Sequence, residues 1–456
     1  VVPPIAWWTG AELDYALRDS GARLLLCDTE RARAVAPYRL SLPDLAHVLV
    51  ARGEALASTD TLEAAIGPVA AYDALPDSPL PVHPGAPDDD VSIFYTSGAT
   101  GAPKGAVATH PHLLTNTLPP AFAAARAALR RGDTLPPPRQ RVGLLVIPLF
   151  HVTGFSARLL GAMFNGDTLV FMRKWDAVEA FRLIERERID SAGGVPTIAW
   201  QLIEHPDRER YDLSSLEMVS YGGAPAAPEL ARRSAAEFGA APGNGWGMTE
   251  TCATVTNHSA EDYLARPDSC GPAVAVADLR IADEQGQALP AGAVGELWAR
   301  GPMVVRRYWN KPEATAATFV DGWVRTGDIA RLDDEGFCYI VDRAKDIIIR
   351  GGENIYASEV ENALFAFPGV TDAALIGLPD HILGEVPAAV VPLASGTEAG
   401  EAELQLWVRE RLAGFKVPVA IRFSEDILPG NANGKILKPE LVRLFADRPA
   451  HQRPAG

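Results

Sequence analysis

Short apolar runs alternate with helical patterns over roughly the first 340 residues of the chain. The runs are rich in β-branched and aromatic residues, which favour strands. Strands that alternate with helices predict βαβ units and a mainly parallel sheet. The predicted strands are residues 23–27, 91–95, 142–148, 168–172 and 218–221, and the clearest predicted helices are residues 177–187 and 228–238.

The pattern changes in the last third of the chain. Short strands separated by turn residues predict a small, meandering β region at 274–340. A small α+β domain is predicted next, with strands at 346–349, 373–377 and 388–392 and helices at 357–366 and 401–412. We therefore divide the chain into a large domain at 1–341, a hinge at 342–345 and a small domain at 346–456.

Composition excludes several classes of protein. A formal net charge of −16 argues against a nucleic-acid partner, because phosphate backbones need a basic surface. The longest apolar run, residues 142–155, is too short to span a bilayer, so we expect no integral membrane segment. The chain starts without a charged-then-apolar leader, and its four cysteines are scattered, which together predict a cytoplasmic location. A homodimer stays open.

The strongest local motif is VSIFYTSGATGAPKG at residues 91–105. An apolar strand leads into hydroxyls, glycines and a lysine, and uncovered backbone N–H groups in such a loop suit the oxygens of a triphosphate. A flexible surface turn would explain the glycines but not the lysine and the clustered hydroxyls. The candidate phosphate-binding residues are Thr96, Ser97, Gly98, Thr100, Gly101 and Lys104.

Lysines are scarce, at seven of the 42 basic residues. Lys104 and Lys435 each adjoin a glycine, which lets an ammonium group and the backbone approach a ligand together. The alternative for both is a solvated surface lysine.

A second candidate segment is GWGMTET, residues 245–251, which we predict to be a loop. Its acid, Glu250, could hold Mg²⁺ between phosphates, and Thr249 could bond the α-phosphate. Alternatively, Glu250 is an acid stabilised at a helix N-terminus. Asp328 follows a Thr-Gly pair and could accept both hydroxyls of a ribose, or it could simply stabilise a turn.

His151 is not assigned as a general base, because a carboxylic acid is already ionised at neutral pH and needs no base to be activated. The imidazole either shapes an acyl pocket or is a satisfied, partly buried histidine.

Seven motifs follow one another in a fixed order: residues 96–105, 148–151 (PLFH), 221–225 (YGGAP), 245–251, 323–328 (WVRTGD), 342–346 with 351–354 (DRAKD, GGEN), and 433–435 (NGK). In this order they resemble the adenylate-forming superfamily of acyl- and aryl-CoA synthetases, peptide-synthetase adenylation domains and beetle luciferases. The resemblance covers nearly the whole chain. One departure is Ala99, where the family usually has serine or threonine, which removes a hydroxyl donor. The start of the sequence also resembles a point well inside the family's large domain, so we expect the first part of that domain to be missing.

The resemblance implies a role for each motif. Adenine would lie beside Trp246, and Arg343 would assist Asp328 at the ribose unless it forms an interdomain salt bridge instead. His151, Phe155 and Met248 would line the acyl pocket. The remaining nucleotide-binding residues would be Gly222, Gly223, Ala224, Gly245 and Gly247; Lys345 would be the hinge; and Gly351, Gly352, Glu353 and Asn354 would line a tunnel for the pantetheine arm of CoA.

The implied function is activation of a carboxylic acid by ATP with Mg²⁺, followed by transfer of the acyl group to CoA. Lys435 would supply the ammonium at the reacting oxygens, aided by Glu250, Thr249 and Lys104. Apolar pocket residues favour a fatty or aromatic acid. The alternatives are an acyl-AMP ligase that loads a carrier protein, or a truncated, inactive nucleotide-binding homologue.

Overall fold

The computed structural model of the protein describes residues 1–68, 70–71, 85–96, 103–132, 134, 139–223, 226, 228–343, 346–351, 353–394, 396–397, 399–424, 428–430 and 436–445. A π-helix, Thr153–Leu160, precedes α6. The α-helices are α1 (Gly10–Ser20), α2 (Thr29–Val35), α3 (Leu62–Ile66), α4 (His110–Leu114), α5 (Pro119–Arg131), α6 (Gly161–Asn165), α7 (Ala177–Glu187), α8 (Pro196–Glu204), α9 (Pro228–Phe238), α10 (Ala260–Ala265), α11 (Pro312–Thr318), α12 (Ala357–Phe365), α13 (Glu401–Arg409) and α14 (Lys438–Leu441).

The strands are distributed over the whole described chain. They are β1 (Leu24–Cys27), β2 (His47–Val50), β3 (Asp60–Thr61), β4 (Asp90–Tyr95), β5 (Gly105–Thr109), β6 (Val142–Leu145), β7 (Thr168–Phe171), β8 (Ser191–Gly194), β9 (Met218–Gly222), β10 (Ala241–Met248), β11 (Ala253–Ser259), β12 (Gly271–Pro272), β13 (Asp278–Ala282), β14 (Gly295–Arg300), β15 (Phe319–Val320), β16 (Trp323–Leu332), β17 (Phe337–Arg343), β18 (Ile348–Arg350), β19 (Glu353–Ile355), β20 (Ala374–Asp380), β21 (Gly384–Pro392) and β22 (Ala420–Ser424).

The centre of the large domain is a sheet with strand order β11-β10-β9-β8-β6-β7. Its strands from β7 to β10 are parallel, and β11 pairs antiparallel with β10. Helices α7, α8 and α9 bury their apolar faces on this sheet, with Phe181, Leu202 and Leu230 in the shared core. The predicted parallel α/β architecture is confirmed, although the strand predicted at 142–148 already ends at Leu145.

The strand predicted at 91–95 belongs to a different arrangement. It forms β4, which pairs antiparallel with β5 in a two-stranded sheet outside the parallel one. The expectation of a parallel neighbour is wrong here, because β5, the next described strand, pairs antiparallel with β4 and is fully buried beside it. Phe94 and Ala106 pack into a core with Val152 of the segment before the π-helix.

The meandering β region is confirmed. Its strand order is β12-β17-β16-β14-β13, and the neighbouring strands pair antiparallel. Strands β16 and β17 have ten and seven residues, and β17 includes residues 342 and 343 at the start of the predicted hinge. The backbones of Asp328 and Arg343 are therefore register partners in two adjacent strands.

The small domain is an α+β unit with strand order β19-β18-β21-β20, extended by β22 parallel to β21. Helices α12 and α13 pack on one face, around Leu364 and Leu404, and α14 packs on the other, around Leu441. Glu353 and Asn354, which are predicted to line the pantetheine tunnel, belong to strand β19, which pairs with β18 as a short hairpin.

The two domains touch at α12. The Ala357 N–H donates to the Asp342 carboxylate, and the Ser358 hydroxyl donates to the carbonyl of Val341. At the other end of the helix, the centre of the Phe365 ring lies 6.1 Å from the centre of the Trp200 ring in α8. These contacts fix α12 against the large domain in the arrangement described here.

Two further features bear on the general character of the chain. Within the described ranges, no helix is long and apolar enough to traverse a bilayer. The four cysteines are free thiols, and burial raises the pKa of Cys252 to about 12. Such a thiol is unreactive at neutral pH.

Candidate active site

The predicted nucleotide-binding glycines meet where β9 and β10 end side by side. Gly222 pairs with Gly245 in the parallel register. A Cβ on Gly222 would lie 3.0 Å from the Gly245 carbonyl oxygen, and one on Gly245 would lie 2.6 Å from that of Thr256. These glycines are therefore needed for close approach of the strands. Gly223 follows with a φ of +78°, which glycine adopts without strain. Ala224 lies outside the described residues.

GWGMTET is not the loop that we expected. Residues up to Met248 complete strand β10, and Thr249–Thr251 form a single 3₁₀ turn before β11. The reason is Gly247: its missing side chain lets the backbone lie against the Ala253 carbonyl, where a Cβ would come within 1.5 Å of the oxygen. Thr249 and Glu250 are thus held at the tip of a tight β10–β11 connection.

Trp246 and Asp328 are in direct contact. The indole Nε1–H of Trp246 donates to the Asp328 carboxylate at 2.8 Å. Asp328 is only 3% exposed, and its register partner in β17 is Arg343. The structure therefore brings together the two residues that the resemblance assigns to the adenine and the ribose of a nucleotide.

Glu250 forms a second polar cluster with a residue that the sequence analysis missed. The Tyr308 hydroxyl donates to Glu250 Oε1 at 2.5 Å, and both residues are buried, at 5% and 7% exposure. Burial, with the adjacent Glu250 charge, strongly raises the pKa of Tyr308, so it stays a donor at neutral pH. Lys104 completes the group, with its Nζ 5.2 Å from the centre of the Tyr308 ring. Tyr308 lies 58 residues from Glu250 in sequence and carries no motif that would signal it.

Thr96 and Lys104, on either side of the glycine-rich segment, are hydrogen-bonded to each other. The Thr96 N–H donates to the Lys104 carbonyl at 2.9 Å, and the Lys104 N–H donates to Thr96 Oγ1 at 3.3 Å. Tyr15 donates its hydroxyl to the carbonyl of the neighbouring Pro103 at 2.9 Å. The other predicted phosphate ligands, Ser97, Gly98, Thr100 and Gly101, lie outside the described residues.

His151 shares a cavity of about 50 Å³ with Thr249. Its Nδ1 accepts the Thr153 N–H at 3.2 Å, and burial lowers the pKa of the imidazole, so the ring is neutral at pH 7. Phe155 lies one helical turn further on, and the centre of its ring is 5.5 Å from the centre of the Phe94 ring. Met248 holds the turn, because its backbone N–H donates to Thr251 Oγ1 at 3.0 Å. His151, Phe155 and Met248 thus belong to segments that surround Thr249.

The predicted CoA-tunnel residues lie in the small domain. Glu353 and Asn354 are exposed on β19, across the β18–β19 hairpin from Arg350 and Ile349, and Gly351 makes the turn with a φ of +59°. Gly352 lies outside the described residues, as do the predicted hinge Lys345 and the predicted catalytic Lys435.

Comparison with protein families decides the class of the chain. A family model for AMP-binding enzymes matches residues 1–309, and a model for the AMP-binding enzyme C-terminal domain matches residues 359–435. The chain belongs to the AMP-binding enzyme family.

Relatives of this AMP-binding enzyme span most of its length. It is 38% identical to a feruloyl-CoA synthase of Amycolatopsis over 435 residues, which cover 95% of this chain and 81% of the relative. A long-chain-fatty-acid–CoA ligase of Mycobacterium tuberculosis, FadD13, is 37% identical over 79% of this chain and 68% of its own length. Among solved structures, the o-succinylbenzoate CoA synthetase of Bacillus subtilis with its acyl-adenylate has a TM-score of 0.78 at 30% identity, and the match covers 96% and 82% of the two chains.

The site of this AMP-binding enzyme fits a magnesium ion that is held chiefly by phosphate. Within the described part of the chain, no group of three or more His, Cys, Asp or Glu side chains is placed to enclose a metal. Mg²⁺ in nucleotide sites needs only one or two carboxylates, with substrate phosphates and water completing its shell. Glu250, a carboxylate kept in place by Tyr308, meets that requirement.

Proposed function

We propose that this enzyme activates a carboxylic acid with ATP to an acyl-adenylate and then transfers the acyl group to CoA, releasing pyrophosphate and AMP. The observation that carries the proposal is the convergence at the β10–β11 tip. Thr249 and Glu250 lie at this tip, which ends the strand whose Trp246 donates a hydrogen bond to Asp328. A nucleotide bound to Trp246 and Asp328 would extend its phosphates along β10 toward Thr249.

The chemistry requires positioning more than proton transfer. The substrate carboxylate is ionised at neutral pH and attacks the α-phosphorus directly, which needs alignment and neutralisation of charge. A neutral His151 suits a role in shaping the acyl pocket, and no base is needed because the acid is already ionised. We assign Asp328 and Arg343 to the ribose, Trp246 to adenine and Thr249 to the α-phosphate.

We assign the charged groups of the site to different parts of the triphosphate. Lys104, with the loop from Thr96 to Gly101, would hold the outgoing pyrophosphate, and Glu250 would hold Mg²⁺. When bound, the ion supplies positive charge to the phosphate oxygens. Tyr308 fixes the Glu250 carboxylate through Oε1, so that its orientation does not depend on the ligand.

We assign the reacting ammonium to Lys435, which belongs to the small domain. The thiol step needs a different group at the same place, so we propose that the small domain turns about Lys345 and presents Gly351–Asn354 to the pantetheine arm. Two arrangements of one domain would thus serve two steps. We place the enzyme in the cytoplasm, where ATP and CoA are available and free thiols persist.

The assignment of Lys435 is testable by separating the half-reactions. Lys435→Ala should abolish acid-dependent release of pyrophosphate, yet leave thioester formation from supplied acyl-adenylate near the wild-type rate. Lys438→Ala is the matched control, because Lys438 lies three residues on and is paired with Glu361 at 2.8 Å. Pyrophosphate release by Lys435→Ala at the rate of Lys438→Ala would contradict the assignment. Assays with CoA and with a carrier protein identify the acceptor.

A further inference from the structure

One face of the central sheet carries small residues beneath the π-helix. Val219 and Tyr221 of β9 point into the core with α7–α9, so Ser220 between them points to the opposite face. Its register partner on β10 is Gly243, and a Cβ on that glycine would lie 3.1 Å from the Ser220 Cβ. Because both residues are small, this face has room for a side chain that reaches it from the π-helix.

Arg158 enters that room from the π-helix. Its Nη2 donates to Ser220 Oγ at 2.5 Å. Ser220 precedes Gly222 by two residues, which is about 7 Å along a strand, and Gly222 is where the proposed nucleotide site begins. The same helix carries Phe155, and His151 lies two residues before its first residue. Arg158 thus shares the helix of Phe155, a predicted acyl-pocket residue, and contacts the strand that leads to the proposed nucleotide site.

The charge of Arg158 has no counter-ion within the described part of the chain: its hydrogen bond goes to a neutral hydroxyl, and it forms no ion pair with a described carboxylate. Burial lowers the pKa of the guanidinium, and the residue as a whole is half-buried. An enclosed cation is costly unless an anion or several acceptor oxygens satisfy it. A planar guanidinium has five donors in a fork suited to carboxylate oxygens, and one hydroxyl uses only one of them.

We propose that Arg158 determines which acid is accepted, by binding an oxygen acceptor at the end of the acyl substrate opposite the reacting carboxylate. This inference rests on the proposed function and narrows its substrate class. Arg158 selects acids that carry an acceptor oxygen at this end. A second carboxylate and a phenol are the two groups that could supply that oxygen. A purely apolar chain would leave the guanidinium unsatisfied. Phe155 and Met248 predicted an apolar acid. That prediction then applies to the part of the acid along the walls of the pocket, and not to its far end.

The test compares acids that differ only at the far end: cinnamate, 4-hydroxycinnamate and 4-carboxycinnamate, with hexanoate and adipate as an aliphatic pair. Acid-dependent pyrophosphate release gives kcat/KM for each acid. The wild type should prefer acids with the second oxygen group. Arg158→Leu should lower kcat/KM for those acids about 10- to 100-fold, the range for lost charged hydrogen bonds, while cinnamate and hexanoate stay equal or improve. Arg158→Lys should restore part of the activity with the dicarboxylates.

Arg126→Leu is the matched control. Arg126 is also partly buried and donates to a strand, through Nη2 to the Asn257 carbonyl at 3.1 Å, but it lies against β11 instead of β9. It should keep the wild-type order of acids. Equal losses on all five acids in Arg158→Leu, or a wild type that prefers cinnamate and hexanoate, would overturn the proposal while the proposed function stands.

A binding measurement keeps the two proposals separable. Should no acid release pyrophosphate, the proposed function fails instead, and calorimetric titration of 4-carboxycinnamate into wild type and Arg158→Leu still tests the pocket. Weaker binding to the variant by about tenfold or more supports Arg158 as the selecting residue. Equal affinities, or no binding to the wild type, count against it.

Discussion

At the scale of single residues, His258 shows how burial sets the charge of a side chain. It lies in β11 with 0% exposure, its Nε2 is 2.9 Å from the Ser269 carbonyl oxygen, and its ring centre is 4.5 Å from that of Tyr263. Burial lowers its pKa to about 4. The ring is therefore neutral in the folded protein at pH 7, with Nε2–H as the donor to the carbonyl.

This depressed pKa predicts a loss of stability in mild acid. An unfolded histidine titrates near pH 6.5, so between about pH 6.5 and 4 the unfolded chain binds a proton that the folded chain excludes. Stability should fall through that window, by on the order of 3 kcal/mol at its lower end. Urea midpoints measured from pH 7 to 4.5 should drop less in His258→Gln, whose amide still donates to Ser269. His47→Gln, at an exposed position, is the control; identical pH profiles for all three proteins would contradict the prediction.

Single residues of the site differ in how far the sequence reveals them. Asp328 and Trp246 were found through motifs, and the structure joins them at 2.8 Å. Tyr308, which fixes Glu250, and Arg158, which lies on Ser220, belong to no motif. Their roles arise from contacts between distant segments, and residue type alone does not indicate such contacts.

At the scale of elements, helices α7 and α9 of the large domain were predictable and the glycine-rich strand β10 was not. Helix α7 occupies its predicted range because Asp176 caps it, accepting the Glu179 N–H at 2.8 Å, and because its apolar residues share one face. Strand β10 contains three glycines and has no β-propensity signal, so only its pairing with β9 and β11 makes it a strand.

Strand β10 therefore yields a prediction about Gly247. Alanine at this position would place Cβ 1.5 Å from the Ala253 carbonyl oxygen, so β10 and β11 must separate and move Thr249 and Glu250. A shift of about 1 Å at reacting groups can cost about 100-fold in rate, and we expect a loss of that order in ATP–pyrophosphate exchange. Gly161→Ala in α6 is the control, because no atom lies within 4 Å of its added Cβ. Near wild-type exchange by Gly247→Ala would show that the tip does not position the reacting groups.

At the scale of the whole molecule, the question is how two domains serve two reactions. The sequence predicted the division into a large and a small domain from the change in pattern near residue 342. It could not predict how they pack, because the contact between Trp200 and Phe365 joins apolar residues that look like ordinary core positions in their own helices. If the small domain turns between steps, this ring pair exists in one arrangement only.

The ring pair predicts that Phe365→Ala changes the two half-reactions in opposite directions. An aromatic pair contributes about 0.5–1.5 kcal/mol, so its loss should shift the balance of arrangements about two- to tenfold. The half-reaction that uses the described arrangement should slow, and the other should become faster or stay unchanged. ATP–pyrophosphate exchange and thioester formation from supplied acyl-adenylate measure the two separately. Phe367→Ala is the matched control, since Phe367 pairs with Trp407 at 5.3 Å inside the small domain. A uniform loss in both half-reactions, equal to that of Phe367→Ala, would mean that the contact only stabilises the fold and does not bias the domain movement.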